Sequence, residues 1–366
     1  MGEGERLRFQ YDFDELVICE NASFSVTPST TTPAPTHAVV LIHPIGVGIG
    51  RWYYERLMES LANDCSRPRT DKLDRIVFLA PDLLGSGSAS APIAADGTDM
   101  MKLPLLTVSD WSDQLQDLMA AYEARSKSKG NPIAQWMVVA NGGCSPIALD
   151  LARNSVDGTA PFGSKINNVV LSSPPRLPFF LGSIDQEKVE KSYKTLSGFA
   201  GRLFWWYALR KNGRFIQRFS EKNLVGRAES LGDEWTKNCV ATAKLNNGRS
   251  RYSTFSFLAG SLQEGCKKSL DALKNSHVMI SLIRGTDKRR NRARSWFWQR
   301  RERRKEANKS EGKEESQEDN EGVEETTIEK YIKENGNGGE TEYIGGRISL
   351  AHEDALGYAA ALRLLL

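Results

Sequence analysis

Three side chains in this sequence could carry out nucleophilic catalysis together. Such chemistry requires a nucleophile, a histidine that takes its proton, an acid that orients the histidine, and two backbone N–H groups that stabilise an oxyanion. The thiol of Cys144, the imidazole of His352 and the carboxylate of Asp287 are candidates for the first three roles. A thiol at the start of a helix has a lowered pKa and is a useful nucleophile.

Cys144 belongs to a strand–turn–helix pattern that must position it. Trp136–Val139 is an apolar run typical of a buried strand, Asn141–Gly143 predicts a tight turn, and the apolar residues of 147–152 recur at helical spacing. Further apolar runs alternate with helical patterns, which predicts a doubly wound, mostly parallel sheet. The predicted strands lie at residues 38–42, 76–79, 136–139, 169–171, 278–283 and 342–344, with edge strands in 7–26 and a closing helix over 352–366.

Three segments resemble motifs of the α/β hydrolases, in that family's order and spacing. Residues 41–48 (LIHPIGVG) resemble the loop after the family's third strand, residues 80–90 (APDLLGSGSAS) its D-x-x-G-x-G-x-S loop, and residues 136–152 its nucleophile elbow. Asp82, Gly85 and Gly87 form the best match. The resemblance covers roughly residues 36–175 and 277–366, and within the superfamily it is greatest to a cyanobacterial and plastid-type group.

The resemblance implies that the nucleophile is missing. The family's G-x-S-x-G pattern falls on residues 140–144 and places Gly142 where the serine belongs, with the family's small-large pair six and seven residues later at Ala148 and Leu149. Counting five residues back from Glu353, where the family has its histidine, gives Ile348. The backbone N–H groups of Ile45 and Gly143 are expected to persist as an oxyanion-type nest. These positions predict a protein without a working triad.

Two alternatives keep a nucleophile. A register shifted by two residues makes 142–146 a small-x-Cys-x-small elbow with Cys144 as nucleophile, His352 as base and Asp287 as acid, although the shift turns the following helix face by about 200°. Asp287 follows the predicted seventh strand, close to the place of the family's acid, whereas His352 precedes Glu353 by one residue. Ser145 is a second candidate, although a capping role ahead of Pro146 also explains it.

Residues 176–276 lack the strand–helix alternation, and here the family inserts a helical cap. The segment is rich in aromatic residues, which either form the cap's own core or line a cavity for a lipophilic small molecule. The aromatic residues predicted for the pocket or the cap are Phe179, Phe204, Trp205 and Trp206. A lipophilic ligand or a protein partner is therefore expected.

Charge is concentrated in an insertion at residues 288–339, which is predicted to be disordered and solvated. Residues 288–305 hold ten Lys or Arg and one acid, and 311–329 nine acids and one Lys. The basic block could contact an anionic membrane surface. The remaining predicted units are an N-terminal extension (1–35), the two parts of the core (36–175, then 277–287 with 340–366) and the cap.

The overall composition excludes several classes of protein. The net charge of +3 does not indicate binding to a specific nucleic acid. Five scattered cysteines without CxxC spacing argue against disulfides and against a zinc site. We expect no metal and no cofactor. The cysteines predict a reducing, intracellular compartment, the resemblance suggests a plastid, and the N-terminal residues show no targeting peptide.

Overall fold

The fold is taken from a computed structural model. It describes residues 13–18, 36–64, 75–87, 105–182, 184–206, 213–248, 250–263, 266–287, 329–334 and 337–366. The predicted edge strands in 7–12 and 19–26, the basic block 288–305 and the acidic residues 311–328 lie outside the described residues.

A seven-stranded sheet forms the centre of the protein. The strands are β1 (Phe13–Ile18), β2 (Thr36–Ile42), β3 (Arg75–Pro81), β4 (Ile133–Asn141), β5 (Ile166–Ser172), β6 (Met279–Gly285) and β7 (Asn337–Ile344). Their order in the sheet is β1-β3-β2-β4-β5-β6-β7, with β1 antiparallel to β3 and every other pair parallel. The predicted doubly wound, mostly parallel sheet is confirmed.

Helices cover both faces of the sheet and form the segment between β5 and β6. They are α1 (Glu55–Asp64), α2 (Val108–Ser128), α3 (Ser145–Val156), α4 (Leu177–Leu181), α5 (Gln186–Ser197), α6 (Phe199–Phe204), α7 (Gly213–Asn223), α8 (Gly232–Lys244), α9 (Arg251–Ala259), α10 (Cys266–Leu273), α11 (329–334), α12 (Leu350–Glu353) and α13 (Ala355–Leu365). The described residues from α4 to α10 form helices joined by turns and no strand, as expected for a cap. No described helix combines the length and apolar character that crossing a bilayer requires.

The alternation of side chains along each strand divides the core in two. On β2, Val40 and Ile42 face a cluster with α2, α3 and α10, whereas Val39 and Leu41 face a cluster with α1 and α13. All four side chains are fully buried. Both faces of this strand are covered, which explains why its sequence is a continuous apolar run rather than an alternating one.

Two predicted boundaries are wrong. The insertion does not extend to residue 339, because α11 and β7 begin before that position: Ile332 is buried in the core and the Glu329 carboxylate accepts a hydrogen bond from Arg284 at 2.9 Å. The closing helix over 352–366 is in fact two helices. Asp354 separates them and caps α13, its side chain accepting the N–H of Gly357 at 2.9 Å.

Candidate functional site

The candidate site lies where the strand order reverses. The chain passes from β2 outward to β3 and then returns to β4 on the other side of β2, so β2 and β4 are neighbours whose following loops diverge. Crevices at the carboxyl ends of such strands are where ligands bind in open α/β sheets. The loop that starts at His43 and the turn at Gly142 meet at this crevice.

Gly142 has the backbone of a sharp strand-to-helix turn. It follows Asn141, the last residue of β4. Its φ is +55°, a left-handed backbone conformation that residues with a side chain rarely adopt. Residues Gly142–Cys144 form a single 3₁₀ turn that leads directly into α3. The predicted sharp strand-to-helix turn is thus present, and the residue at its tip has no side chain.

The space around the two glycines of the turn is unequal. A Cβ atom on Gly142 would meet no heavy atom within 4 Å apart from its chain neighbours. A Cβ atom on Gly143 would lie 2.8 Å from the ring of Phe257, which belongs to α9. Gly142 therefore faces open space, with an aromatic residue of the cap against the neighbouring glycine.

Cys144 is buried, and the pKa of its thiol is raised. Burial raises the pKa of its thiol to about 12, although the backbone N–H of Ile45 hydrogen-bonds to the sulfur and opposes this effect. That contact differs from the predicted nest, in which the N–H groups of Ile45 and Gly143 would hold a common acceptor. The difference arises because Cys144 occupies the position of the last glycine in the family's G-x-S-x-G pattern. Its side chain therefore reaches the loop after β2.

Ser145 is also fully buried, and its hydroxyl donates to the carbonyl of Gly142 at 2.7 Å. Because the hydrogen bond ties the first residue of α3 to the tip of the turn, it stabilises the turn itself. The hydroxyl is therefore occupied by a structural hydrogen bond.

The loop after β7 is where the sequence resemblance places the family's histidine. This loop reaches the turn at Gly142. The side-chain amide of Asn141 donates to the carbonyl of Ile348 at 3.2 Å, and the hydroxyl of Ser173 donates to the carbonyl of Arg347 at 3.2 Å. These hydrogen bonds bring residues 347–348 next to the elbow. Neither an isoleucine nor an arginine side chain can act as a general base at neutral pH.

Glu353 clamps this loop to the cap, a role that the sequence reasoning missed. Its carboxylate accepts the N–H of Arg347 at 3.0 Å and the N–H of Gly226, a cap residue, at 2.7 Å. Burial raises the pKa of Glu353, and the N–H donors, which include that of Ile348, oppose the shift. The sequence feature that pointed to this role was the position of Glu353, five residues after the expected histidine.

His352 lies in an aromatic environment beneath the cap. Its ring lies 4.7 Å from that of Trp235 and 6.4 Å from that of Trp52, and Nε2 lies 3.1 Å from the carbonyl oxygen of Leu231. A carbonyl oxygen only accepts, so Nε2 carries the proton and donates it. Burial lowers the pKa of His352 to about 4. The ring is therefore neutral at physiological pH.

Asp287 follows β6, and its backbone N–H donates to the carbonyl of Gly346 at 3.1 Å. Its carboxylate lies against the backbone of Gly226, and its charge contributes to the raised pKa of Glu353. Within the described residues, no hydrogen bond or ion pair joins Asp287, His352 and Cys144 to one another. The structure thus places the three predicted catalytic side chains among separate sets of neighbours.

The loops after β2 and β3 are held together by a buried histidine. His43 Nε2 accepts the N–H of Leu83 at 3.0 Å, while Nδ1 lies 3.0 Å from the carbonyl oxygen of Pro44 and must be the donor there. Burial lowers the pKa of His43, so this neutral tautomer is the stable one. Asp82 accepts the N–H of Arg51 at 2.7 Å, and Gly87 is needed beside it because a Cβ there would lie 2.0 Å from the carboxylate.

The cap is fastened to these loops by a row of small hydroxyl side chains on α9. Thr254 donates to the carbonyl of Gly46 at 3.0 Å, Ser253 donates to the carbonyl of Gly85 at 2.7 Å, and Ser256 accepts the N–H of Leu106 at 3.0 Å. All three hydroxyl-bearing residues are buried. Because its hydrogen bonds reach the loops that follow β2 and β3, α9 holds Phe257 over the elbow.

The four aromatic residues predicted for the pocket or the cap have different surroundings. Trp205 is buried inside the cap, with its ring 5.7 Å from that of Phe255, and Phe179 packs edge-on against Phe180 at 5.9 Å. Phe204 and Trp206 are exposed on the outside of the protein. Both residues belong to the cap, and the sequence alone does not tell which side of a cap helix faces the core.

Metal-binding side chains are not clustered in the described residues: no group of three or more His, Cys, Asp or Glu is arranged to hold an ion. The candidate site is thus built from backbone, aromatic rings and buried hydrogen bonds.

Comparison with solved structures identifies the fold. The chain is similar to a thermophilic esterase from Thermogutta terrifontis (TM-score 0.54, 10% identity, 98% of this chain and 93% of that chain). It is also similar to Cfl2 from Burkholderia cenocepacia (TM-score 0.54, 12% identity, 98% and 95%) and to the haloalkane dehalogenase DatA from Agrobacterium tumefaciens (TM-score 0.52, 12% identity, 100% and 97%). No protein-family model and no curated protein matches the sequence.

The protein therefore has the α/β-hydrolase fold, as the sequence motifs predicted. At these levels of identity the comparisons concern the fold, and activity must be argued from the site.

Proposed function

We propose that this protein is a pseudohydrolase, an α/β-hydrolase-fold protein without triad catalysis that binds a lipophilic small molecule at the inherited site. The observation that carries the proposal is Gly142. It has the left-handed φ of +55° at the strand-to-helix turn, and open space lies where a nucleophilic side chain would stand. Glycine retains the architecture of the elbow and supplies no group that can attack a substrate.

The rest of the site supports the same conclusion. The loop that would carry the histidine has Arg347 and Ile348 beside the elbow. The only histidine nearby in sequence, His352, uses its Nε2 proton in a hydrogen bond to a backbone carbonyl and has a pKa of about 4. A neutral imidazole of such low basicity would be a poor general base at neutral pH.

The chemistry around the open space favours a lipophilic ligand over a charged one. The ring of Phe257 lies against Gly143, and the nearby thiol of Cys144 is neutral at physiological pH. The polar groups of α9 are already bonded to backbone atoms of the core loops. An apolar cavity with few free polar groups is typical of small-molecule sites, although the same surface could hold an apolar side chain of a protein partner.

The alternative is an active hydrolase of esters or other lipophilic substrates that uses Cys144, His352 and Asp287. It would require the buried thiol to ionise and His352 to leave its hydrogen bond with Leu231. The compartment and the plastid-type subgroup stay predictions from the sequence.

Catalysis is tested by the hydrolysis of short p-nitrophenyl esters by the native protein and by Cys144→Ala, His352→Ala and the control Cys266→Ala. We expect the rate of every sample to equal that of buffer. Turnover that is lost in both Cys144→Ala and His352→Ala but kept in Cys266→Ala would establish the enzyme and overturn the proposal.

Ligand binding is tested by native mass spectrometry of the freshly purified protein. We expect an additional mass that organic solvent releases, and its loss in Gly142→Val, whose side chain enters the open space. Gly158→Val is the matched control, because Gly158 also has a positive φ (+71°) and no neighbouring atom within 4 Å. Equal ligand content in both variants would contradict a site at Gly142.

A further inference from the structure

Two successive cap helices, α6 and α7, each expose large apolar residues. We call these residues the aromatic face; its members are Phe199, Leu203, Phe204 and Trp206 in and after α6, and Phe215 and Phe219 on α7. Their exposed fractions range from 41% to 81%. Scattered exposed apolar residues are ordinary, but several large ones in a short segment mark an interaction surface.

The opposite sides of the same helices are anchored in the protein. Trp205 is buried against Phe255, Ile216 is buried, and the hydroxyl of Ser220 accepts the indole N–H of Trp235 at 2.9 Å. The aromatic face is therefore the outward side of packed helices. Its exposure follows from the fold of the cap, and changes to its exposed side chains leave these buried contacts in place.

The segment that carries the aromatic face has an excess of positive charge. Residues 199–223 contain six Lys or Arg and a single acid, Glu221. Arg202, Arg214 and Arg218 are exposed, and none of them forms an ion pair with a carboxylate in the parts of the chain that the structure describes. The rings of Phe215 and Phe219 stack on α7 at a centroid distance of 6.5 Å, adjacent in sequence to Arg214 and Arg218.

We propose that the aromatic face docks on an anionic lipid surface, with its aromatic rings at the level of the headgroups and its arginines against lipid phosphates. Phe and Trp together with Lys and Arg are the residues of interfacial membrane contacts. Lys and Arg near an anionic bilayer are attracted by its negative surface potential. The site lies on the cap, away from the basic block 288–305 in sequence, and it does not depend on the proposed function.

Two other occupants fit the charges and the apolar area less well. A second copy in a two-fold interface would bring the same excess of positive charge against itself. The acidic segment 311–329 complements the charge, but Val323 and Ile328 are its only large apolar residues, too few to cover the aromatic face. A lipid surface supplies both negative charge and an apolar interior.

The experiment is co-sedimentation of the full-length protein with vesicles of phosphatidylcholine alone or of phosphatidylcholine mixed with phosphatidylserine. We expect binding to the anionic vesicles that weakens as the salt concentration rises. The triple variant R202Q/R214Q/R218Q should bind on the order of a hundredfold more weakly, because each cation contributes about a fivefold change. The variant F199S/L203S/F219S should lose binding at any salt concentration.

Matched variants elsewhere on the surface make the test specific. L356S/L364S removes two exposed apolar side chains of α13, and R125Q/K127Q/K129Q removes three cations at the end of α2. Neither should change binding. The proposal is overturned if anionic vesicles are not bound, if these controls lose binding equally, or if glutamine at the ten cations of 288–305 abolishes binding that the cap variants retain. It is also overturned if the arginine variant converts a dimer of the protein into monomers and leaves vesicle binding unchanged.

Discussion

The reactivity of Cys144 distinguishes most directly between a binding protein and a cysteine-dependent hydrolase. Burial raises the pKa of its thiol from 9.0 to about 12, so at neutral pH the thiolate fraction is about a thousandfold lower than for an unshifted cysteine. The thiolate is the species that reacts with an alkylating reagent. Because the side chain is only 1% exposed, access of the reagent lowers the rate further.

We therefore expect iodoacetamide at neutral pH to label Cys144 at least a thousandfold more slowly in the native protein than in the denatured protein. The rate is measured for each cysteine separately by quenching at intervals and quantifying peptides by mass spectrometry. Cys266 is the matched control, since burial also raises its pKa to about 12. The two should react at similar rates.

A different outcome would refute the reasoning. If Cys144 in the native protein reacts as fast as in the denatured protein, or much faster than Cys266, the thiol is tuned for nucleophilic attack. The loop after β2 would then adopt an arrangement in which the N–H of Ile45 outweighs the effect of burial. The enzyme hypothesis would become the better one.

Two further predictions concern stability. His352 has a pKa of about 4 in the folded protein and about 6.5 when unfolded, so the unfolded chain binds the proton first and stability is lost as the pH falls from about 6.5 to 4. His352→Gln keeps a donor for the carbonyl of Leu231 and should reduce this loss by about 3 kcal/mol. The free energy of unfolding is measured by urea titration at pH 7 and pH 4, and equal losses in the native protein and the variant would disprove the role of His352. Gly87→Ala should destabilise by roughly 3 kcal/mol, because its Cβ would meet the carboxylate of Asp82 at a φ of +55°. Gly130→Ala, at a φ of +77° with no atom within 4 Å, should lose only about 1 kcal/mol, and equal losses would contradict the steric argument.

The sequence determined the fold class and the position of the elbow. Apolar runs such as 38–42 form parallel strands because both faces of such a strand must be buried, and this property can be read locally. The tight turn at Asn141–Gly143 could be predicted for the same reason, since glycine is the residue that tolerates a positive φ. The prediction that Gly142 stands at the nucleophile's position came from counting along the helix after it.

The state of each candidate side chain was decided only by the tertiary structure. The pKa of Cys144, the proton on Nε2 of His352 and the clamp made by Glu353 depend on neighbours distant in the chain, such as Ile45, Leu231 and Gly226. The same holds for Trp205 and Trp206, adjacent residues of which one is buried and the other exposed. Desolvation and hydrogen bonding depend on what surrounds a group in space, and sequence spacing specifies this only within a single helix or strand.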